Sequence, residues 1–139
     1  MSFREKSSWI ILVMLVLLTA LYLLHIFPYD LAPEPSFDRF HILGASIIAF
    51  VVLVVIAHIA VAIWSPRDAK TPKDERERLI ELRSTAVSAY VYAFLSLASI
   101  STLHAGANQF GLAYLVTLAF GIGEIVNYAA RVYLYRRDS

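Results

Sequence analysis

The chain has 139 residues, of which 59% are hydrophobic and 17% are charged, and its formal net charge is +1. It contains no cysteine, which excludes disulfides, thiolate metal sites and cysteine nucleophiles. Basic residues are interleaved with acidic ones and no recognition module is visible, so nucleic-acid binding is not expected. The composition is typical of a small polytopic membrane protein rather than of a soluble domain.

Four apolar runs, each about as long as the ~20 residues that cross a bilayer core, predict four transmembrane helices. The predicted spans cover approximately residues 9–27, 42–64, 85–104 and 110–130. The first run lacks a small-residue cleavage pattern at its end, so an uncleaved span is expected rather than a signal peptide. A proline-rich loop at 28–35 follows it, and Ser65-Pro66 ends the second run.

The polar segment before the third run predicts a helix that begins well outside the membrane. Thr71 is the expected N-cap, Pro72 the first helical residue and Asp74 a carboxylate in the first turn. No helix breaker follows before His104, so one long helix is expected to run from the cytoplasm through the third span.

Small residues predict close packing of this third helix, and a central place for it in the bundle. Ser84 with Ser88, and Ala89 with Ala93, lie four residues apart, a spacing that lets helices approach closely in lipid. The short segment 105–108 then predicts a tight turn, which makes the third and fourth runs a helical hairpin.

Lysine and arginine are distributed very unevenly around the four runs. Two precede the first run, six lie between the second and third, three follow the fourth, and Arg39 alone lies on the other side. The positive-inside rule therefore predicts both termini in the cytoplasm. The predicted fold is an all-α integral membrane four-helix bundle, one domain over 1–139, with a cytoplasmic extension of the third helix.

Glu124 is the one acidic residue within the predicted spans, and an ionisable group there suggests a functional site. Asn127 and Arg131 share its helix face, and His58 is at a matching depth in the second span. The functional interpretation is a proton or cation site formed by Glu124 and His58. The structural alternative is an interhelical hydrogen bond, or a contact between Glu124 and Arg131.

Three histidines are expected near the outer membrane surface: His25, His41 and His104. Together with Asp38 they could hold zinc or copper, and two of the histidines could ligate a haem. No local ligand spacing supports that hypothesis, and histidines are also common at interfaces because the headgroup region tolerates them. No cofactor is predicted.

Charges concentrate at the cytoplasmic side, in the run that starts with Asp74, Glu75 and Arg76 and in the tail residues Arg136 and Arg137. Such a run is often only a solvated helix face. Its alternative role is to dock a cytoplasmic partner.

Three segments give the chain a resemblance to a known family: Phe3-Arg4-Glu5-Lys6-Ser7-Ser8-Trp9, Pro72-Lys73-Asp74-Glu75-Arg76-Glu77-Arg78-Leu79-Ile80-Glu81, and Glu124-Ile125-Val126-Asn127-Tyr128 with Tyr133-Leu134-Tyr135-Arg136-Arg137. They resemble the DUF2178-type proteins, small four-span bacterial inner-membrane proteins without an assigned activity. The glycine expected after the paired arginines is replaced by Asp138-Ser139. The resemblance implies a bacterial inner-membrane location and singles out six residues: Asp74, Glu75, Arg76, Glu124, Arg136 and Arg137.

The sequence contains no pairing of a nucleophile with a base, so an enzyme is not predicted. The favoured hypothesis is a non-enzymatic membrane module or accessory subunit that binds or regulates a partner through its charged loop and tail. It would reside in the lipid bilayer as a homodimer or as a subunit of a larger assembly. The alternatives are an oligomeric proton-coupled transporter or channel that uses Glu124 and His58, and an outer-face metal or haem protein.

Overall fold

The computed structural model describes four stretches of the chain: 3–26, 37–64, 74–107 and 109–137. They contain four long helices: α1 (Phe3–Leu21), α2 (Phe37–Trp64), α3 (Glu75–Ser101) and α4 (Gln109–Arg137). A π-helical turn, Tyr22–Ile26, continues α1, and a 3₁₀ turn, Thr102–Ala105, continues α3. Each helix is long and apolar enough to cross a membrane, which confirms the predicted all-α class and the number of candidate spans.

The start of α3 is a correction to the sequence analysis. The helix begins at Glu75 with Asp74 as its N-cap, and not at Pro72. The Asp74 carboxylate accepts from the backbone N–H of Glu75 at 2.7 Å, and the Asp74 N–H donates to the Glu77 carboxylate at 3.3 Å. This reciprocal capping satisfies backbone donors at both positions, which a lone threonine hydroxyl does not do. Residues 65–73, including Thr71, lie outside the described stretches.

Downstream of this cap the helix is continuous, as predicted. Glu75–Ser101 passes directly into the 3₁₀ turn, which ends at Gly106 with a left-handed φ of 86°. The N–H of Ala107 donates to the Thr102 carbonyl at 3.1 Å. Because glycine adopts positive φ without a steric penalty, the chain reverses here, and α3 and α4 form the predicted helical hairpin. Asn108 of that turn is not described.

The inner helices of the packing are α1 and α4, and not α3, contrary to the prediction. The main helix contacts join α3 to α4, α4 to α1, and α1 to α2. Two glycines explain why α4 has two close neighbours. A Cβ on Gly121 would lie 3.0 Å from Thr19 Oγ1 of α1, and one on Gly123 would lie 2.6 Å from the Tyr92 ring of α3. The helices are therefore arranged in the order α2, α1, α4, α3.

Buried serines form the α3 side of the hairpin interface. Ser84 and Ser88 are 0% and 2% exposed, and their hydroxyls donate to carbonyls of the preceding turn, those of Glu81 and Thr85. The prediction of close packing through small residues is thus confirmed for this pair. Ala89 and Ala93, in contrast, are exposed.

The first turns of α1 and α3 and the last turn of α4 lie at the same end of the molecule. Arg4 of α1 forms an ion pair with Glu77 of α3. The Arg136 guanidinium of α4 lies 5.0 Å above the centre of the Trp9 ring. At the opposite end the Tyr22 hydroxyl donates to the Tyr114 carbonyl at 2.9 Å. α1 and α3 therefore run parallel to each other and antiparallel to α4.

Candidate functional site

Glu124 lies on α4 at the interface with α3, where Tyr92 is its hydrogen-bond donor. The Tyr92 hydroxyl is 2.9 Å from Glu124 Oε1 and 3.2 Å from the Phe120 carbonyl oxygen. The Tyr92 ring lies over Gly123, and its centroid is 5.6 Å from that of Phe120. Any side chain at position 123 would occupy the volume of the ring, so this glycine is required for Tyr92 to reach the carboxylate.

Tyr92 is a site residue that the sequence analysis missed. It follows Ser84 and Ser88 at the same four-residue spacing, so the face of α3 that packs on α4 was visible in the sequence. What the sequence does not give is the register between the two antiparallel helices, which decides that position 92 is opposite position 124.

Arg131 forms a second polar cluster nearer the charged end of the hairpin. Its Nε donates to Ser84 Oγ at 3.2 Å and to Asn127 Oδ1 at 3.3 Å. One terminal guanidinium nitrogen is 3.7 Å from a Glu81 carboxylate oxygen, and the guanidinium lies 5.0 Å from the Tyr128 ring centroid. The structure thus brings Asn127 and Arg131 together as predicted. It directs Arg131 toward Glu81, so the alternative contact between Glu124 and Arg131 is wrong.

The predicted pairing of Glu124 with His58 stays a prediction. The His58 side chain lies outside what the structure describes, and α2 packs mainly on α1. The described hydrogen bond of Glu124 goes to the opposite neighbour, α3.

The polar side chains of the hairpin share one side of the helix arrangement. On α4, Thr117, Glu124, Tyr128 and Arg131 fall within about 60° of arc at ~100° per residue, and all four are half-buried. That arc lies between the α1 contact at Gly121 and the α3 contact at Gly123. We call this surface, with Glu81 and Tyr92 of α3, the polar face: it is formed by Thr117, Glu124, Tyr128, Arg131, Glu81 and Tyr92.

The charged side chains at this end fall into two groups: those that contact other parts of the chain, and those that are exposed to solvent. Asp74 caps α3 and Glu77 pairs with Arg4, so both act within the molecule. Glu75 and Arg76 are exposed, as are Arg136 and Arg137 at the end of α4. Of the five residues expected to face a partner, Asp74 caps a helix and Arg136 stacks on Trp9, so Glu75, Arg76 and Arg137 are the ones described only as exposed.

The histidine cluster gains no geometric support. His41 and His104 have exposed side chains, whereas those of His25 and Asp38 are outside the described part of the structure. Within the described stretches, no group of three or more histidine, aspartate or glutamate side chains could hold a metal ion.

Comparisons with protein-family models, with curated proteins and with solved structures find no match to this chain. The resemblance to DUF2178-type proteins accordingly stays a prediction.

Proposed function

We propose that this chain is a non-enzymatic module of a bacterial inner membrane that binds a partner protein at its cytoplasmic end. Its four helices would cross the bilayer as a bundle, with the first turns of α1 and α3 and the last turn of α4 in the cytoplasm. The uneven distribution of lysine and arginine supports this orientation, because eleven of the twelve then lie inside.

The observation that carries the proposal is the division of charges around the start of α3. Acidic side chains on one side of the helix hold it in place, through the cap at Asp74 and the pair of Glu77 with Arg4. The other side presents Glu75 and Arg78 to solvent. A fixed helix loses little conformational entropy on binding, so its exposed side is suited to recognising another protein.

Apolar groups adjoin these charges. Leu79 and Leu82 are 52% and 67% exposed, and with Glu75 and Arg78 they follow the i, i+3, i+4, i+7 spacing of one helix face. A partner of matching character is a second amphipathic helix that emerges from the membrane, with apolar residues facing the leucines and charges facing the first turn.

Crosslinking in native membranes, followed by purification, tests this proposal. Arg76→Glu with Arg78→Glu should abolish recovery of a stoichiometric partner, because charge reversal opposes the complementary surface. The matched control, Arg76→Lys with Arg78→Lys, should retain the partner. Failure of the unaltered chain to recover any stoichiometric protein, or equal recovery with the reversed charges, would contradict the proposal.

A second function, an oligomeric proton-coupled transporter or channel, is favoured by one observation. Glu124 Oε1 accepts from Tyr92, whereas the described residues supply no donor to the second carboxylate oxygen. A carboxylate with one oxygen open can bind and release a proton. In proteoliposomes under a potassium diffusion potential, Glu124→Gln should abolish proton flux while Glu124→Asp retains part of it. Flux that is unchanged in Glu124→Gln, or absent from the unaltered chain, eliminates this function.

A further inference from the structure

We propose that a second copy of this chain docks on the polar face and forms a two-fold symmetric dimer, with its axis parallel to the membrane normal and along the seam between α3 and α4. This inference rests on the membrane placement in the proposed function but not on the cytoplasmic partner.

The first argument is that the polar face is unsuited to lipid. Glu124 is fifteen residues from the start of α4 and seven residues before Arg131, so it lies about 10 Å inside the predicted inner boundary at 1.5 Å per residue. Its carboxylate is half-buried and has one oxygen without a donor in the described structure. Ionisable groups at such a depth face protein or water-filled cavities, because exposure to hydrocarbon is costly.

The second argument is that the α3 side of this face leaves room for another helix. Thr85, Ala89 and Ser96 lie within about 60° of Tyr92 around α3, and Thr85 and Ala89 are exposed. The outer side of the same helix carries large side chains instead, such as Tyr90 and Phe94, which are 80% and 72% exposed. Small residues permit close helix approach in membranes, so the polar side of α3 is shaped for a helix and the outer side for lipid.

The third argument identifies the partner as a second copy. At the level of Glu124, the acceptor is on α4 and its donor, Tyr92, is on α3. At the level of Arg131 the donor and the acceptor exchange helices: the cation is on α4 and its acceptor, the Glu81 carboxylate, is on α3. A two-fold axis along the seam places α4 of each copy opposite α3 of the other. At the Arg131 level the guanidinium of each copy then faces the Glu81 carboxylate of the other, as a self-complementary interface requires. At the Glu124 level each carboxylate is covered by the Tyr92 side of the other copy, while the single Tyr92 O–H donates within its own chain.

Other placements of two copies lack this complementarity. If α4 faced α4, two carboxylates would meet at one level and two guanidinium groups at the other. If the outer faces of α3 met, the polar face would stay open. The seam axis is the arrangement that covers the carboxylate and pairs the charges together.

The absence of native cysteine allows a direct test with single-cysteine variants of the full chain. Ser96 and Thr117 lie one helical turn beyond the Tyr92–Phe120 contact, on α3 and α4 respectively. Chains bearing Ser96→Cys and Thr117→Cys, with tags of different size, are co-expressed and treated in membranes with a short bis-maleimide. A crosslinked species containing both tags is expected, because α3 of one copy faces α4 of the other.

The matched control pairs Ala98→Cys on α3 with Ile122→Cys on α4, which lie on the other side of the hairpin, and it should give no such species. A mixed-tag product from the control pair and not from the first pair would overturn the proposal. So would the absence of any mixed-tag product, or a crosslink of the first pair to a different protein.

A second measurement changes bulk at the interface. Ala89→Trp should convert the purified dimer in mild detergent to a monomer, as measured by light scattering during size-exclusion chromatography. Ala98→Trp adds the same bulk to an exposed position on the opposite side of α3, and should leave the dimer intact. A dimer that survives Ala89→Trp, or an unaltered chain that is monomeric, would overturn the proposal. Neither readout depends on Arg76 and Arg78, so failure of the dimer and failure of the cytoplasmic partner are distinguishable.

Discussion

α2 and α4 are both long enough to cross a membrane, yet they hold very different places in the molecule. α2 is apolar around most of its circumference, and Ile48, Ile56 and Ile63 are all more than half exposed. It packs mainly on α1. α4 packs on two helices and carries a polar surface on a third side. The comparison teaches that hydrophobicity identifies a crossing helix, whereas small and polar residues determine what that helix contacts.

Glycine illustrates the difference most clearly. A Cβ on Gly44 of α2 meets no heavy atom within 4 Å, whereas one on Gly123 of α4 lies 2.6 Å from the Tyr92 ring. Glycine is therefore not required by the packing at position 44 of α2, whereas it is required at position 123 of α4.

The largest expected effect tests this contrast directly. Gly123→Leu should destabilise the chain by about 1–3 kcal/mol, because an overpacked interface forces the rigid Tyr92 ring to move. Gly44→Leu should change the free energy of unfolding by less than about 0.5 kcal/mol. Denaturant unfolding in mixed micelles, followed by far-ultraviolet circular dichroism, measures both. Equal destabilisation of the two variants would remove the distinction between α2 and α4.

A somewhat smaller effect is expected from the polar cluster at the charged end of α4. Arg131→Met should cost about 2 kcal/mol, because hydrogen bonds that involve a charged group contribute ~1.5–3 kcal/mol and the Ser84 and Asn127 side chains lose their donor. Arg137→Met removes an exposed charge from the same helix and serves as the control. The same unfolding assay measures the pair, and a cost for Arg137→Met as large as that for Arg131→Met would show that net charge, not the cluster, stabilises α4.

The smallest effect concerns the hydroxyl that reaches Glu124. Tyr92→Phe should cost about 0.6 kcal/mol, the mean contribution of an interhelical hydrogen bond in a membrane protein. Tyr90→Phe, two residues away and 80% exposed, should be neutral. If the two variants have the same stability, the hydrogen bond to Glu124 does not hold α3 against α4.

The sequence predicted those features that depend on a single helix. Apolar runs are long enough to mark the spans, Gly106 marks the reversal between α3 and α4, and the spacing of Asn127 and Arg131 places them on one face. These follow from local propensity and periodicity, which each segment carries by itself.

What the sequence did not predict depends on how helices are placed against one another. The contact of Tyr92 with Glu124 requires the register of α3 on α4. The inner position of α4 depends on the neighbours of Gly121 and Gly123, which periodicity does not reveal. The sequence predicted that α3 starts at Pro72, because Thr71 is a residue type that often caps helices. In the structure Asp74 is the N-cap, and it forms a reciprocal capping box with Glu77.

The central claim, that the polar face of α4 is covered by protein while α2 faces lipid, is tested most directly by spin labels in liposomes. Labels at Thr117→Cys and Ile56→Cys are compared by the collision rate with oxygen, which is concentrated in the hydrocarbon core. We expect a high rate at position 56 and a rate several-fold lower at position 117. Equal rates at the two positions would place the polar face against acyl chains and contradict the account.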